Sequence, residues 1–383
     1  MNYEEFKQQV VEHIKEHLPK EYANAEVSIR QVTKNNDTIQ DSLQINNGDE
    51  RVSPSINLNE SFKSYERTKD FDSELETLAN IRMNAAPQLD VDINSIMNFE
   101  AMKDRIDCRL INLENNSGYL SDKPYKQIED LALVYCVDLG RNSDGIMNTV
   151  VTDSLMESWQ ISADELDRVA MENLSHNESM EFCSMRDMLK NMMFPDTPDN
   201  DPSLDLMLPP AEGPQMYVLT SDDKLYGAKF LADTGRMDSI AEKLGGDFMV
   251  IPSSINECIL LPNDGSIDRK TLEGMIHQVN AEQVPEKEIL SEHAYAYDSQ
   301  AHELMRADRY EERQASKQMM QAVDKALNTA VGEENVSYGA KAEKAENHRE
   351  RISVKDKINE KKDIISKKAA EKSAPSKDHQ MGL

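Results

Sequence analysis

The chain has 383 residues, of which 38% are hydrophobic and 30% charged, and its formal net charge is −28. That length suffices for two domains plus extensions, and the modest apolar fraction leaves part of the chain solvated. So acidic a body repels phosphate backbones and anionic membranes, which disfavours nucleic-acid or membrane-surface binding by it.

Residues 341–383 run the other way, with 12 Lys and Arg against 8 Asp and Glu, so only this tail suits contact with nucleic acid. No apolar run approaches membrane-spanning length, and the first residues lack the basic-then-apolar layout of a signal peptide. The expectation is a cytoplasmic protein without a membrane partner. Cys108, Cys136, Cys183 and Cys258 are widely spaced with no C-x-x-C pair, and three of them lie in apolar runs that read as buried, reduced thiols.

Taken in order, Tyr3, Phe6, Val10, Ile14 and Leu18 share one face of a helix over residues 3–18, stopped by Pro19. Residues 26–32 and 42–45 read as strands about the turn Asn35-Asn36-Asp37, and 55–58 as a third strand. Helices follow at 60–66 and 72–83. Residues 101–106 end another helix, and 107–113 alternate as a strand. Residues 128–139 and 147–155 are strand-like on either side of a turn at 141–145. Ser162 with Glu165 forms a capping box for a helix buried through Leu166, Val169, Ala170 and Leu174. Residues 180–194 read as a Met-rich helix, a pattern that more often marks adaptable core than a groove.

Residues 195–215 hold six of the fourteen prolines and little periodicity, the composition of a linker or exposed loop. Beyond them, 216–220 and 225–231 are apolar runs joined by the polar turn 221–224, read as a strand pair. Asp233-Thr234 then caps a helix with Met237, Ile240, Ala241 and Leu244 on one face and Gly245-Gly246 as its stop. Residues 248–251 and 258–261 read as strands. Leu272, Met275, Ile276 and Val279 repeat the helical spacing. From residue 284 the chain reads as helical and increasingly charged.

The class is therefore α+β: two mixed helix/sheet units with mostly antiparallel sheets, at 1–194 and 216–310, joined by 195–215. A charged, helical or disordered extension follows at 311–383.

Three clusters carry candidate chemistry. His13-Ile14-Lys15-Glu16-His17 matches H-x-x-E-H, in which i, i+4 histidines would hold zinc and Glu16 would act as base; edge-of-core packing is the more frequent reading of such a match. Ser253, Ser254, Asn256 and Glu257 form a polar loop between two strand-like runs, suited to a ligand or partner, or simply to ending the strands. His293, Tyr297, Asp298 and His302 lie close in sequence; on a helix His293 would share a face with Tyr297, and Asp298 with His302. They would relay protons or anchor the segment structurally. No P-loop, dinucleotide fingerprint, kinase set or paired-Cys zinc signature occurs, and no cofactor is implied.

The opening MNYEEFKQQV, the segments VSIRQVTKNND, CRLINLENNSGYL, DLALVY, WQISADELDRVAMEN, PSSINECILLP and LSEHAYAYD, and the tail from ERISVKDK resemble an uncharacterised bacterial family. It is a domain of unknown function common in gut anaerobic Firmicutes. The family pattern often sets a His before the Glu of its PSS-x-x-E stretch; Asn256 stands there in this chain, which weakens any shared His–Glu chemistry. The resemblance implies a fold and a bacterial cytosolic setting, and no reaction. The expected function is non-catalytic binding or regulation of another macromolecule, most plainly a protein. The alternatives are a metal-dependent or serine-type hydrolase, and a mobile-element accessory protein whose basic tail touches nucleic acid.

Overall fold

The computed structural model describes residues 1–48, 55–84, 93–142, 145–177, 179–195, 197, 198, 201, 204, 207, 208 and 214–337. Met1–Ala315 form one compact unit and Ser316–Leu383 a second. The first is α+β, with three sheets in which every described strand pairing is antiparallel.

The first sheet, β1 (Glu26–Thr33), β2 (Ile39–Asn46) and β3 (Ile56–Asn57) in that order, carries α1 (Tyr3–His13), α2 (Leu58–Thr68) and α3 (Phe71–Asn84). α1 starts at a capping box in which the Glu5 amide donates to Asn2 and the Asn2 amide to Glu5, both at 2.9 Å. Phe6, Val10 and Ile14 meet Leu43, Ile45, Leu58 and Leu78 in a core where each is 0% exposed. Burying such a side chain stabilises the fold by about 1.5–3 kcal/mol. The helix expected over 3–18 stops being α at His13, and Ile14–His17 tighten into a 3-10 turn.

The second sheet consists of β4 (Ile106–Asn112), β5 (Tyr125–Ile128), β6 (Leu131–Asn142) and β7 (Gly145–Val150). β4 lies along one side of β6, and β5 and β7 follow one another along its other side. Short helices α4 (Phe99–Met102) and α5 (Asp153–Trp159) flank it, and α6 (Ala163–Asn177) covers one face. Tyr135 marks that face, since its hydroxyl donates to Asp167 of α6 at 3.0 Å. The opposite face carries Asp107 and Arg109 of β4 beside their register partners Cys136 and Val134. Residues expected to continue a strand to 155 instead begin α5, because Thr152 caps it through the Leu155 amide.

The third sheet is six-stranded, in the order β13-β12-β10-β11-β9-β8. Its strands are β8 (Met180–Ser184), β9 (Tyr217–Ser221), β10 (Phe248–Ile251), β11 (Glu257–Pro262), β12 (Tyr295–Asp298) and β13 (Glu303–Arg306). Its helices are α7 (Met185–Met193), α8 (Thr234–Leu244), α9 (Arg269–Glu282) and α10 (Ala307–Ser337). One apolar core joins the second and third sheets, where Leu133 and Val137 share a cluster with Phe230, Met237, Ile240, Phe248 and Val250. The far face of the third sheet packs Met249, Leu261 and Met305 under Leu272, Ile276 and Tyr310.

Three expectations need correction here. Residues 225–231 form no strand; Tyr226 turns left-handed and Gly227–Ala232 wind into a 3-10 helix. The Met-rich segment opens as strand β8 before its helix begins at Met185, with Ser184 as cap. Residues 295–306, read as helical, are the β12–β13 hairpin. In the second unit, residues 316–337 belong to α10, and Met319, Met320 and Val323 are exposed. The basic tail, residues 341–383, lies outside the described residues.

Candidate functional site

His13 and His17 do not share a ligand position. α1 ends at His13, so the α-helical i, i+4 geometry that would pair the two rings is lost. His13 Nδ1 instead meets Glu16 at 2.9 Å, a carboxylate that raises the histidine above its ordinary value, and His17 Nε2 faces Asp72 at 3.3 Å. Among the described residues no group of three His, Cys, Asp or Glu side chains is placed to hold a metal ion.

The 253–257 loop is bonded inward. The Ser254 amide donates to the Glu257 carbonyl, and the Ser254 hydroxyl accepts the Asn256 amide, both at 3.0 Å. Asn256 Oδ1 takes the Tyr226 amide at 3.1 Å, its Nδ2 donates to Glu288 at 3.2 Å, and its carbonyl accepts the Thr220 hydroxyl at 2.8 Å. Ser254 is buried, whereas Ser253 and Glu257 are half-exposed at the two ends. Asn256 thus fixes the Tyr226 backbone through its Oδ1 and ties the loop to Glu288 through its Nδ2.

The β12–β13 hairpin brings two of its four candidate residues together through a third element. Tyr297 and His302 both bond Asp238 Oδ1 of α8, at 2.6 and 2.8 Å. Those two bonds, Tyr297 first, hold the Asp238 carboxyl below its usual range. Burial, reinforced by Asp238, pushes the Tyr297 phenol well up. Asp298 turns the other way, accepting the Gln300 and Ala301 amides that shape the hairpin loop. His293 stands apart, 4.0 Å from Glu273.

A cluster that the sequence did not point to lies on the face of the second sheet away from α6. The Arg109 guanidinium carbon sits 3.8 Å from the centroid of the Tyr226 ring, and Arg109 Nε is buried without a hydrogen-bond partner. Asp107, beside it on β4, is held by Lys229 Nζ at 2.7 Å and accepts the Cys108 amide. Cys136, on the same face, has its thiol pushed up to about 12 by burial, against the pull of Arg109. Lys34, just after β1, is lowered from its ordinary value by burial and then by the charges of Arg109 and Lys287. Lys34, Arg109, Tyr226 and Lys287 come from four distant segments, so no local motif announces them.

A further feature is α7. Leu189 is 40%, Met192 73% and Met193 59% exposed, and no residue of the helix is buried. No described helix is long and apolar enough to cross a membrane. Compared with known proteins, residues 3–299 match the model of a family described as a family of unknown function (DUF5688). No curated protein and no solved structure matches the chain.

Proposed function

The chain belongs to the family of unknown function DUF5688, and on that premise we propose a non-catalytic bacterial protein of the cytoplasm that binds another protein through α7. The Met-rich face of that helix carries the reading. Met185, Met188, Leu189, Met192 and Met193 follow the spacing of one helical side, and the last three are exposed. Flexible thioethers on an amphipathic helix suit a partner groove, and each apolar side chain fully covered there contributes about 1.5–3 kcal/mol. All four cysteines are free thiols, in keeping with a reducing compartment.

The test is photo-crosslinking in cells of the native host, with a photoreactive amino acid at position 192. One discrete adduct is expected, and it should vanish when Leu189→Glu and Met193→Glu are added. An adduct that survives both charges, or none at all, refutes the role of α7.

A further inference from the structure

We infer that the open edge of β1 takes up a basic, extended peptide segment of a partner protein as an added strand, with alternate side chains in the groove beside α1. β1 is an outer strand of the first sheet, and β2 is its only strand neighbour among the described residues. The Lys34 amide donates to the Thr38 carbonyl at 2.8 Å, which sets the alternation of the ladder. Residues 26, 28, 30 and 32 bond towards β2, whereas Val27, Ile29, Gln31 and Thr33 turn their amides and carbonyls outward. Among the described residues no backbone bond is made on that outward side. Natural sheets blunt such an edge with a proline, a bulge or an early end. β1 has no proline and keeps unbroken register over all eight of its residues.

A groove of about 890 Å³ runs here, lined by Gln8, Val11 and Glu12 of α1 and by Ile29 and Gln31 of β1. A strand added antiparallel to β1 sets every second side chain on the face that carries Ile29 and Gln31, and hence in this groove. The charge of the groove selects the occupant. Four carboxylates line it, Glu4, Glu5, Glu12 and Asp41, against the single ammonium of Lys7, which Glu4 and Asp41 already hold at 2.8 and 3.0 Å. Lysine or arginine suits it, because the aliphatic stem can lie on half-exposed Val11 and Ile29 while the charge reaches exposed Glu12. The same charge disfavours a second copy of this chain, which would bring two acidic grooves together. The surface shares no residue with α7, so the inference stands apart from the function proposed above.

Fluorescence anisotropy on the full chain tests this, with a dye-labelled peptide that alternates lysine and threonine over the eight-residue length of β1 as probe. The lysine peptide should bind, and its glutamate counterpart should not. N-methylation of one alternate set of its residues should weaken binding at least about tenfold, and of the other set less than about twofold, because only one set aims its N–H groups at β1. Glu4→Gln combined with Glu12→Gln should weaken binding at least about fivefold. Gln31→Pro should do the same; the Gln31 amide faces away from β2, so the β1–β2 ladder and the circular dichroism should persist. No binding at about 1 mM, or equal losses from both N-methylated sets, overturns strand addition. Unchanged affinity in the double glutamine variant overturns the charge assignment. A wild-type dimer that Gln31→Pro dissolves also overturns the proposal, since a second copy then fills the edge.

Discussion

At the scale of single residues, Gly227 sits where no side chain fits. A Cβ built there would lie 2.5 Å from Thr220 Cα and 2.6 Å from the Asn256 carbonyl oxygen and the Ser221 nitrogen. All three are backbone atoms, which cannot swing aside. Gly227→Ala is therefore expected to cost about 3 kcal/mol, measured by chemical denaturation; a loss below about 1 kcal/mol would show that the backbone gives way. Asp238 makes a separate prediction about acid. Its carboxyl is held below the usual range by Tyr297 and then His302, so it stabilises the fold above the unfolded pKa of about 3.9. That contribution disappears as pH falls through the lower folded value. Asp238→Asn should lower the melting temperature at neutral pH, with the gap to wild type closing as pH falls below the ordinary carboxylate range. A gap constant from neutral pH to pH 2 would contradict it.

Among elements, the tip of the β1–β2 hairpin links two cores that share no cluster. Asn36 and Asp37 both adopt left-handed backbone, with φ of 57° and 49°, a conformation Asn and Asp tolerate better than most residues. The turn then reaches outward. Asn36 Nδ2 donates to the Glu286 and Ile289 carbonyls, and Asp37 accepts the Gly118 and Tyr119 amides at 2.8 and 2.7 Å. Asp37→Ala is expected to cost about 1.5–3 kcal/mol and to speed hydrogen exchange at Gly118 and Tyr119 while leaving β4 and β6 protected. Unchanged protection at those two amides would remove the turn from this role.

The same turn was legible as Asn35-Asn36-Asp37, but its partners were not, since they lie far along the chain. α8 was legible in full, because Asp233 caps it, four apolar residues mark its face and Gly245 ends it left-handed at φ 85°. The 3-10 turn at Gly227–Ala232 was misread because a short apolar run has no period to distinguish coil from strand. β12 and β13 span four residues each, too few to outweigh the charged helical pattern that follows them.

For the molecule as a whole, the α+β class and the antiparallel pairing could be read from the order of runs and turns. The candidate clusters could be read only as lists of reactive types. Local spacing placed His13 with His17, yet the end of α1 separates them. It placed Tyr297 and His302 on a helix, yet Asp238 joins them across a hairpin. Arg109 gave no signal because the Tyr226 ring it faces lies far along the chain, and only tertiary folding brings the two together.

The burial of the thiols has a practical side. Cys108 and Cys258 are 0% and Cys136 is 2% exposed, whereas Cys183 on β8 is half-exposed, one residue before the cap of α7. A maleimide dye should thus enter the native chain at a single position and reach all four in denaturant, as intact-mass spectra would record; more than one label under native conditions would contradict the burial. The wild-type protein comes with its own reporter beside the Met-rich helix, so the docking proposed for α7 is testable by fluorescence without engineering a cysteine.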